Sequence, residues 1–203
     1  DPDVVTGAKE APTVAWHENQ IGEDGAGGFS AQKVIAANSG QVTEVSVSDL
    51  DGDGTPDVLV STEDELFWYP NQVGTSGSDD DGFGAALTFD AKISPSVFAA
   101  DLDEDGANDV LTDDEWFRNR QDGPFPGDDG FGDGVQIFRG QEQDIIAADL
   151  DGDGDRDPVL VGYSSLGWRQ NTIAEGFAFG DRNPSQTITS GLLNGESVAA
   201  SDL

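Results

Sequence analysis

Three short segments of this chain carry enough carboxylates at regular spacing to bind a metal ion. Each follows the pattern D-x-D-x-D-G-x-x-D over nine residues, and we name them loop 1 (residues 49–57), loop 2 (residues 101–109) and loop 3 (residues 149–157). Aspartates crowded in this way repel one another unless a cation lies between them. Hard oxygen ligands at alternating positions suit Ca²⁺, whereas Mg²⁺ demands near-octahedral geometry and keeps its waters.

The predicted ligands are the carboxylates at positions 1, 3, 5 and 9 of each loop and the backbone carbonyl at position 7. The glycine at position 6 lets the chain turn sharply enough to bring positions 7 and 9 back to the ion. One loop of this kind is compatible with a solvated acidic turn, but three in register favour metal binding. The predicted ligand sets are Asp49, Asp51, Asp53, Thr55 and Asp57; Asp101, Asp103, Asp105, Ala107 and Asp109; and Asp149, Asp151, Asp153, Asp155 and Asp157.

The flanks of the loops exclude an EF-hand. That motif begins in the same way but needs a bidentate Glu at position 12 and a helix on each side. Position 12 is Val60, Thr112 or Leu160 here, and none of these has a carboxylate. The residues around the loops are rich in Val, Ile and Leu, so each loop is predicted to connect two β-strands.

A second marker repeats with the period of the loops. A W-x-x-N motif begins at Trp16, Trp68, Trp116 and Trp168, and a glycine-phenylalanine segment follows each copy. Around loop 1 we predict strands at about 42–48, 57–61, 66–71 and 87–93. Four short strands per unit of about 50 residues are typical of a propeller blade. The predicted fold is all-β, a single β-propeller region over residues 1–203 built from four-stranded antiparallel blades, with approximate repeats 1–48, 49–100, 101–148 and 149–203.

These loops, the W-x-x-N strands and the glycine-phenylalanine segments together resemble the FG-GAP/VCBS repeat family, which is similar to the integrin α-subunit head. The resemblance covers essentially the whole chain, and the aspartate loop is its most specific part. It implies a β-propeller whose blades are stabilised by calcium, usually seven or eight of them, on a secreted or surface protein.

Both ends of the chain align with parts of the same loop. Asp1 and Asp3 align with positions 7 and 9, and Asp202 aligns with position 1, which predicts two partial calcium loops. We expect the chain to be a piece of a larger propeller that is cut inside a calcium loop at both ends. The alternative is a four-bladed ring closed by its own termini.

The charge of the chain excludes several classes of partner. The formal net charge is −32, and three calcium ions would offset little of it. Nucleic acid and anionic lipid would be repelled, and no apolar stretch approaches the length of a membrane helix. The scarcity of Lys favours adaptation to a high-salt environment over an ordinary acidic exterior protein. Without Cys, the redox compartment is not readable.

Other residues are weaker candidates for chemistry. We interpret the four Trp as core residues, with the Asn of each motif capping a turn, rather than as sugar-stacking platforms. His17 is the single histidine and a poor basis for a catalytic triad. The acidic stretches 79–81 and 128–133 are predicted to be solvated loop tips. The six Arg make no evident patch: Arg118, Arg120, Arg139, Arg156, Arg169 and Arg182.

The sequence therefore favours a non-enzymatic, calcium-binding propeller segment, extracellular or at the cell surface, with a structural, adhesive or assembly role. Its expected partners are a protein or glycan on a cell or particle surface, or further copies of itself. The alternative is a carbohydrate-binding propeller, either a lectin or an accessory domain of a polysaccharide-active enzyme.

Overall fold

The described part of the chain is built from β-strands. The computed structural model describes residues 2–22, 28–37, 39–72, 82–89, 96–120, 130–138, 142–172, 186–192 and 194–201, and the strands within them form four antiparallel sheets. None of these residues belongs to a helix that could cross a membrane.

The strands are grouped by sheet as follows. Sheet 1 contains β1 (Val4–Ala8), β2 (Thr13–His17) and β3 (Lys33–Ala37); sheet 2 contains β4 (Val42–Ser48), β5 (Asp57–Thr62), β6 (Leu66–Tyr69) and β7 (Leu87–Thr88). Sheet 3 contains β8 (Val97–Ala100), β9 (Asp109–Thr112), β10 (Glu115–Phe117) and β11 (Val135–Gln136); sheet 4 contains β12 (Glu142–Ala148), β13 (Asp157–Gly162), β14 (Ser165–Trp168) and β15 (Gln186–Ser190).

Each sheet is a meander in which every strand pairs with the next along the chain. Four-stranded meanders that recur in this way are the blades of a β-propeller, so the predicted fold class is confirmed. In sheet 2 the first predicted strand is correct at both ends, and the second extends one residue further, to Thr62. The third ends at Tyr69, and Asn71 instead forms an isolated bridge with Phe83. The fourth is described as far as Phe89, and only Leu87–Thr88 of it are strand.

The predicted repeat boundaries do not coincide with the boundaries between sheets. The repeat boundaries at 49, 101 and 149 fall between the first and second strand of sheets 2, 3 and 4. Each aspartate loop therefore lies within one sheet, at the turn between its first two strands. Of the predicted partial loops, Asp1 and Asp202 lie outside the described residues, whereas Asp3 is described and accepts the Asn19 backbone N–H at 2.8 Å. The acidic segment 79–81 also lies outside the described residues; of the segment 128–133, residues 130–133 are described.

The core lies in layers between neighbouring sheets. Trp16 packs with apolar side chains of sheet 2, Trp68 with those of sheet 3, and Trp116 with those of sheet 4. Their exposed fractions are 9%, 1% and 6%, which confirms the prediction that these Trp are core residues. Trp168 belongs to sheet 4 and is half-buried. The second strand of each of sheets 2, 3 and 4 is buried along its whole length, which accounts for its continuous apolar run.

Polar contacts also join the first strands of the sheets. Glu44 of β4 accepts a hydrogen bond from the Val97 backbone N–H of β8 at 2.8 Å. Ser96, directly before β8, donates its hydroxyl to Asp144 of β12 at 3.0 Å. Asp144 in turn accepts the Val198 N–H at 2.9 Å. Glu44, Ser96 and Asp144 each lie five residues before the first aspartate of a loop, so we name them the inner row.

Candidate metal centres

Each aspartate loop is folded around its first carboxylate. In loop 1, Asp49 accepts the Gly52 N–H at 2.8 Å with one oxygen and the Gly54 N–H at 3.0 Å with the other. Asp149 of loop 3 accepts the two equivalent bonds at 2.7 and 3.2 Å. A side chain that binds the following N–H groups in this way fixes a tight turn. The first aspartate therefore shapes the loop as well as offering oxygen to an ion.

The alternating carboxylates of each loop converge. One oxygen from each of three aspartates lies within 4.8 Å of the others, which is close enough for one ion to contact all three. Such a group occurs in the loop of each of sheets 2, 3 and 4, but its members differ: loops 1 and 2 bring together positions 1, 3 and 5, whereas loop 3 brings together positions 1, 3 and 9. The groups are Asp49, Asp51 and Asp53; Asp101, Asp103 and Asp105; and Asp149, Asp151 and Asp157.

The aspartate at position 9 has a structural role that sequence reasoning missed. Asp57 accepts the Leu50 N–H at 2.8 Å and the Asn71 N–H at 2.7 Å, one with each oxygen. It thereby ties the start of loop 1 to the end of the third strand of the same sheet. Asp109 and Asp157 make the same pair of bonds in their loops. The sequence contained a signal for this contact, because a W-x-x-N motif follows every aspartate loop and its Asn supplies the backbone N–H that the position-9 aspartate accepts.

All three of these position-9 carboxylates are fully buried. Burial raises the pKa of Asp57 to about 7 and that of Asp109 to about 6, although the backbone hydrogen bonds act in the opposite direction. Burial also raises the pKa of Asp157. Their charge is costly in the absence of a compensating cation.

The Asn of the W-x-x-N motif connects neighbouring sheets. The Asn119 side-chain amide donates to the Asn108 carbonyl of its own loop at 3.0 Å and to the Leu50 carbonyl of loop 1 at 2.8 Å. Asn171 makes the equivalent bonds to loop 3 and, at 2.6 Å, to the Leu102 carbonyl of loop 2. The predicted capping of a turn is seen at Asn19, whose side-chain oxygen accepts the Ile21 N–H at 3.0 Å. The contact across sheets was not predicted, because it depends on how the blades are arranged.

This arrangement agrees with the comparison to known families. Residues 1–60 and 49–112 match the FG-GAP-like repeat, so the two matches together cover more than half of the chain. The chain belongs to the FG-GAP-like repeat family. Comparison with curated proteins gives no match.

Among solved structures, this FG-GAP-like chain is similar to an Agrocybe aegerita lectin described for its specific recognition of non-reducing terminal N-acetylglucosamine. The TM-score is 0.50 and the sequence identity is 21%. The similarity covers 93% of this chain and 48% of the lectin chain, so this chain spans about half the length of that relative. At this identity, the likeness supports the fold alone.

The residues of the loops fit a calcium ion. Asp103 in loop 2 and Asp155 in loop 3 each have one buried carboxylate oxygen without a hydrogen-bond partner. Burial and the neighbouring loop aspartates also raise the pKa of Asp51 and Asp103. Unpartnered buried oxygens and crowded carboxylates are expected where a cation completes the site. A bound Ca²⁺ would supply positive charge and further oxygen coordination at these atoms.

Loop 3 has an additional carboxylate at position 7. Burial and the adjacent Asp153 raise the pKa of Asp155 to about 7. The sequence predicted the backbone carbonyl of this position as a ligand, as for Thr55 and Ala107. The N–H groups of Thr55, Ala107 and Asp155 all donate to the carboxylate at position 5, at 2.7, 3.1 and 3.3 Å. Ligation by the carbonyl stays a prediction.

The three loops differ in the side chain that precedes the Asn of the W-x-x-N motif. This residue follows the third strand, whose last pairs are with residues near the start of the second strand, so it lies next to the loop. The residue is Pro70 beside loop 1, Arg118 beside loop 2 and Gln170 beside loop 3. Arg118 forms an ion pair with Asp103 and contacts Asp105 at 3.1 Å, and Gln170 donates to Asp151 at 2.6 Å. The sequence showed only that the six Arg make no evident patch, and it gave no sign that the register of β9 and β10 brings Arg118 to loop 2.

Proposed function

We propose that this chain is a calcium-binding segment of an extracellular β-propeller, in which Ca²⁺ holds the turn between the first two strands of each of three blades. The observation that carries the proposal is the convergence of three aspartate oxygens within 4.8 Å at the same place in sheets 2, 3 and 4. The proposed ligand sets are those predicted from the sequence, with the position-7 carbonyls of Thr55, Ala107 and Asp155.

The role of the ion in this proposal is to stabilise the blades. Calcium would neutralise the crowded carboxylates and fix each loop against the third strand, to which the position-9 aspartate already connects it. An ion present at about 100 times its Kd stabilises the folded state by about 2.7 kcal/mol. For a chain of this size, about 1 kcal/mol corresponds to roughly 2–4 °C in melting temperature. We therefore expect each filled site to raise the melting temperature by several degrees.

The experiment is thermal unfolding of the chain in excess calcium and in excess EDTA. Removal of calcium should lower the melting temperature by many degrees, and equal molar Mg²⁺ should restore little of it. Isothermal titration of the stripped chain should detect up to three bound ions. Unchanged melting in EDTA, together with a flat titration, would refute calcium binding.

A pair of variants tests whether the loops are the sites. Asp153→Ala should weaken calcium binding and reduce the stabilisation by calcium. Asp64→Ala provides the matched control, because Asp64 is an exposed aspartate in the turn between β5 and β6, away from the loops. The sequence alone suggests Asp79→Ala for the same purpose, but Asp79 lies outside the described residues. Equal losses of calcium stabilisation in the two variants would place the ions elsewhere.

The biological role that we propose is non-enzymatic: the blades present their connecting loops for adhesion or assembly on a cell or particle surface. The acidic composition supports an exterior, high-salt location, because salt screens the repulsion of a chain with a net charge of −32. The partner would be a protein, a glycan or further copies of the chain. Measuring the mass in solution with and without calcium tests self-assembly, since a monomer under both conditions removes that option.

Glycan binding is the second candidate function, favoured by the similarity to the N-acetylglucosamine-binding lectin. The burial of Trp16, Trp68 and Trp116 leaves them unable to stack against a sugar. An exposed aromatic such as Tyr163, which is 55% exposed in the turn after β13, is a better stacking surface. A glycan array with calcium present tests this candidate, and Tyr163→Ala should reduce any signal.

A further inference from the structure

The side chain next to each aspartate loop changes from one blade to the next. Pro70 offers no polar group to loop 1, Gln170 offers a neutral amide to loop 3, and Arg118 offers a permanent positive charge to loop 2. These residues occupy the same position in the repeat, directly before the Asn of the W-x-x-N motif. The chain thus contains three versions of one loop with three different neighbours.

Arg118 contacts two of the predicted ligands of loop 2. Its Nε forms an ion pair with Asp103 Oδ2, and its Nη2 lies 3.1 Å from Asp105 Oδ2. The Asp103 side chain is 4% exposed, whereas that of Arg118 is 56% exposed. The guanidinium therefore reaches in from solvent over a nearly buried carboxylate. In the described part of the chain, no cationic side chain contacts Asp51, the equivalent residue of loop 1.

A cation at this point has two opposite effects. Without calcium it compensates the repulsion among the loop carboxylates. With calcium it is a positive charge close to the ion, so it either repels the ion or must leave its two carboxylates. The amide of Gln170 carries no net charge, so beside loop 3 it neither balances the carboxylate charge fully nor repels a calcium ion as Arg118 would.

We propose that Arg118 is a tethered counter-cation that makes loop 2 the weakest and last filled of the three calcium sites, while holding this loop folded when calcium is scarce. The inference rests on the calcium binding proposed above. It adds an order of filling, in which loop 1 and loop 3 take up calcium before loop 2. The blade between two strongly calcium-dependent blades then keeps its fold across a wider range of calcium concentration.

The test exchanges the neighbours of loop 2 and loop 3. Arg118→Gln gives loop 2 the residue of loop 3, and Gln170→Arg gives loop 3 the residue of loop 2. Lys9→Gln is the control, because it removes the same charge from an exposed pair with Glu63 at the opposite end of the strands. Each chain is stripped of metal and titrated with calcium alone by calorimetry.

The parent chain should show two tighter sites and one weaker site. Arg118→Gln should tighten the weak site about tenfold, and Gln170→Arg should weaken one of the tighter sites by a similar factor, since about 1.4 kcal/mol corresponds to tenfold in affinity. Lys9→Gln should bind as the parent does. Three sites in the parent that are unaffected by either exchange would overturn the inference and leave the proposed function standing. No calcium binding by the parent would refute the proposed function itself.

Thermal unfolding gives an independent readout. In EDTA, Arg118→Gln should melt below the parent because loop 2 has lost its internal cation. In saturating calcium, the same variant should melt at or above the parent. A purely structural role for Arg118 predicts a loss of the same size in both conditions, and that result would overturn the inference.

Discussion

Loop 1 and loop 2 have the same aspartate spacing and the same buried aspartate at position 9, but they differ at position 4 and in the side chain beside the loop, among other places. Position 4 is Gly52 in loop 1 and Glu104 in loop 2, and both have a positive φ, of 76° and 58° respectively. Loop 2 also has the ion pairs with Arg118, whereas Pro70 stands at that place beside loop 1.

The difference shows that two parts of the repeat control two properties. The spacing of the aspartates and the position-9 carboxylate determine the shape of the loop, which is shared. The third strand, which is distant in sequence, determines how the negative charge of the loop is balanced. Copies of one motif in one chain therefore need not respond to calcium alike.

The largest expected effect on stability concerns the buried aspartate at position 9, which the loops share. Asp57→Ala and Asp109→Ala each remove a buried carboxylate that accepts two backbone N–H groups. Leaving both donors without an acceptor should lower the free energy of unfolding by roughly 2–5 kcal/mol. Urea unfolding in EDTA measures this cost without the contribution of the ion. If Asp109→Ala lowered the free energy of unfolding much less than Asp57→Ala, the position-9 hydrogen bonds would not contribute equally to the two loops.

The next effect should have opposite signs in the two loops. In EDTA, Asp51→Ala removes one of several uncompensated like charges and should stabilise the chain by about 0.5 kcal/mol. Asp103→Ala breaks the contact with Arg118 and should destabilise it by about 1 kcal/mol. In calcium, both variants should lose stability because a ligand is gone. If both variants changed the stability in the same direction in EDTA, the proposed electrostatic difference between loop 1 and loop 2 would be wrong.

A smaller effect is expected at position 4. Glu104 has a left-handed backbone, which costs a residue with a side chain about 1–2 kcal/mol. Glu104→Gly should therefore stabilise the chain by about 0.5–1 kcal/mol, after allowing for the greater freedom of glycine in the unfolded chain. Gly52→Ala is the reciprocal change, and no atom lies within 4 Å of the added Cβ, so only backbone strain opposes it. Urea unfolding that shows a gain for both variants would contradict this account.

The smallest effect separates the loops from the inner row. Burial raises the pKa of Glu44, and Asp144 raises it further, while hydrogen bonds from Ser96 and Val97 lower it. A carboxyl whose pKa is higher in the folded state stabilises the fold at low pH, and this contribution is lost as pH rises through the folded pKa. Glu44→Gln should therefore become more stable relative to the parent as pH rises from about 4.5 to neutral.

The inner row contains none of the predicted calcium ligands, so this pH trend should be the same in calcium and in EDTA. The exposed Glu10→Gln controls for the change in net charge. A trend that appears only in EDTA would mean that Glu44 is coupled to the loops, and the separation of the two regions would fail.

Features set by neighbours in sequence were predictable. The strand Val42–Ser48, the loop after it and the start of β5 follow from alternating apolar residues and the aspartate spacing. The core role of Trp68 followed from its period. These features depend on local backbone preference and on burial, and both leave a pattern in the sequence.

Features set by packing between distant residues were not predictable. Arg118 reaches Asp103 because of the register between β9 and β10. Asn119 reaches the Leu50 carbonyl, 69 residues away, because sheet 3 packs against sheet 2. One sequence gives no measure of these distances, so it did not show which of the six scattered Arg contacts the carboxylates of loop 2.

The amide contacts of Asn119 and Asn171 have a mechanical consequence. Each anchors the loop of the preceding blade, so tension on one blade is transmitted through a hydrogen bond to the turn of its neighbour. We expect a chain pulled from its ends to yield in steps, with the loss of each blade weakening the next. A protein that bears load at a surface would in this way dissipate force gradually.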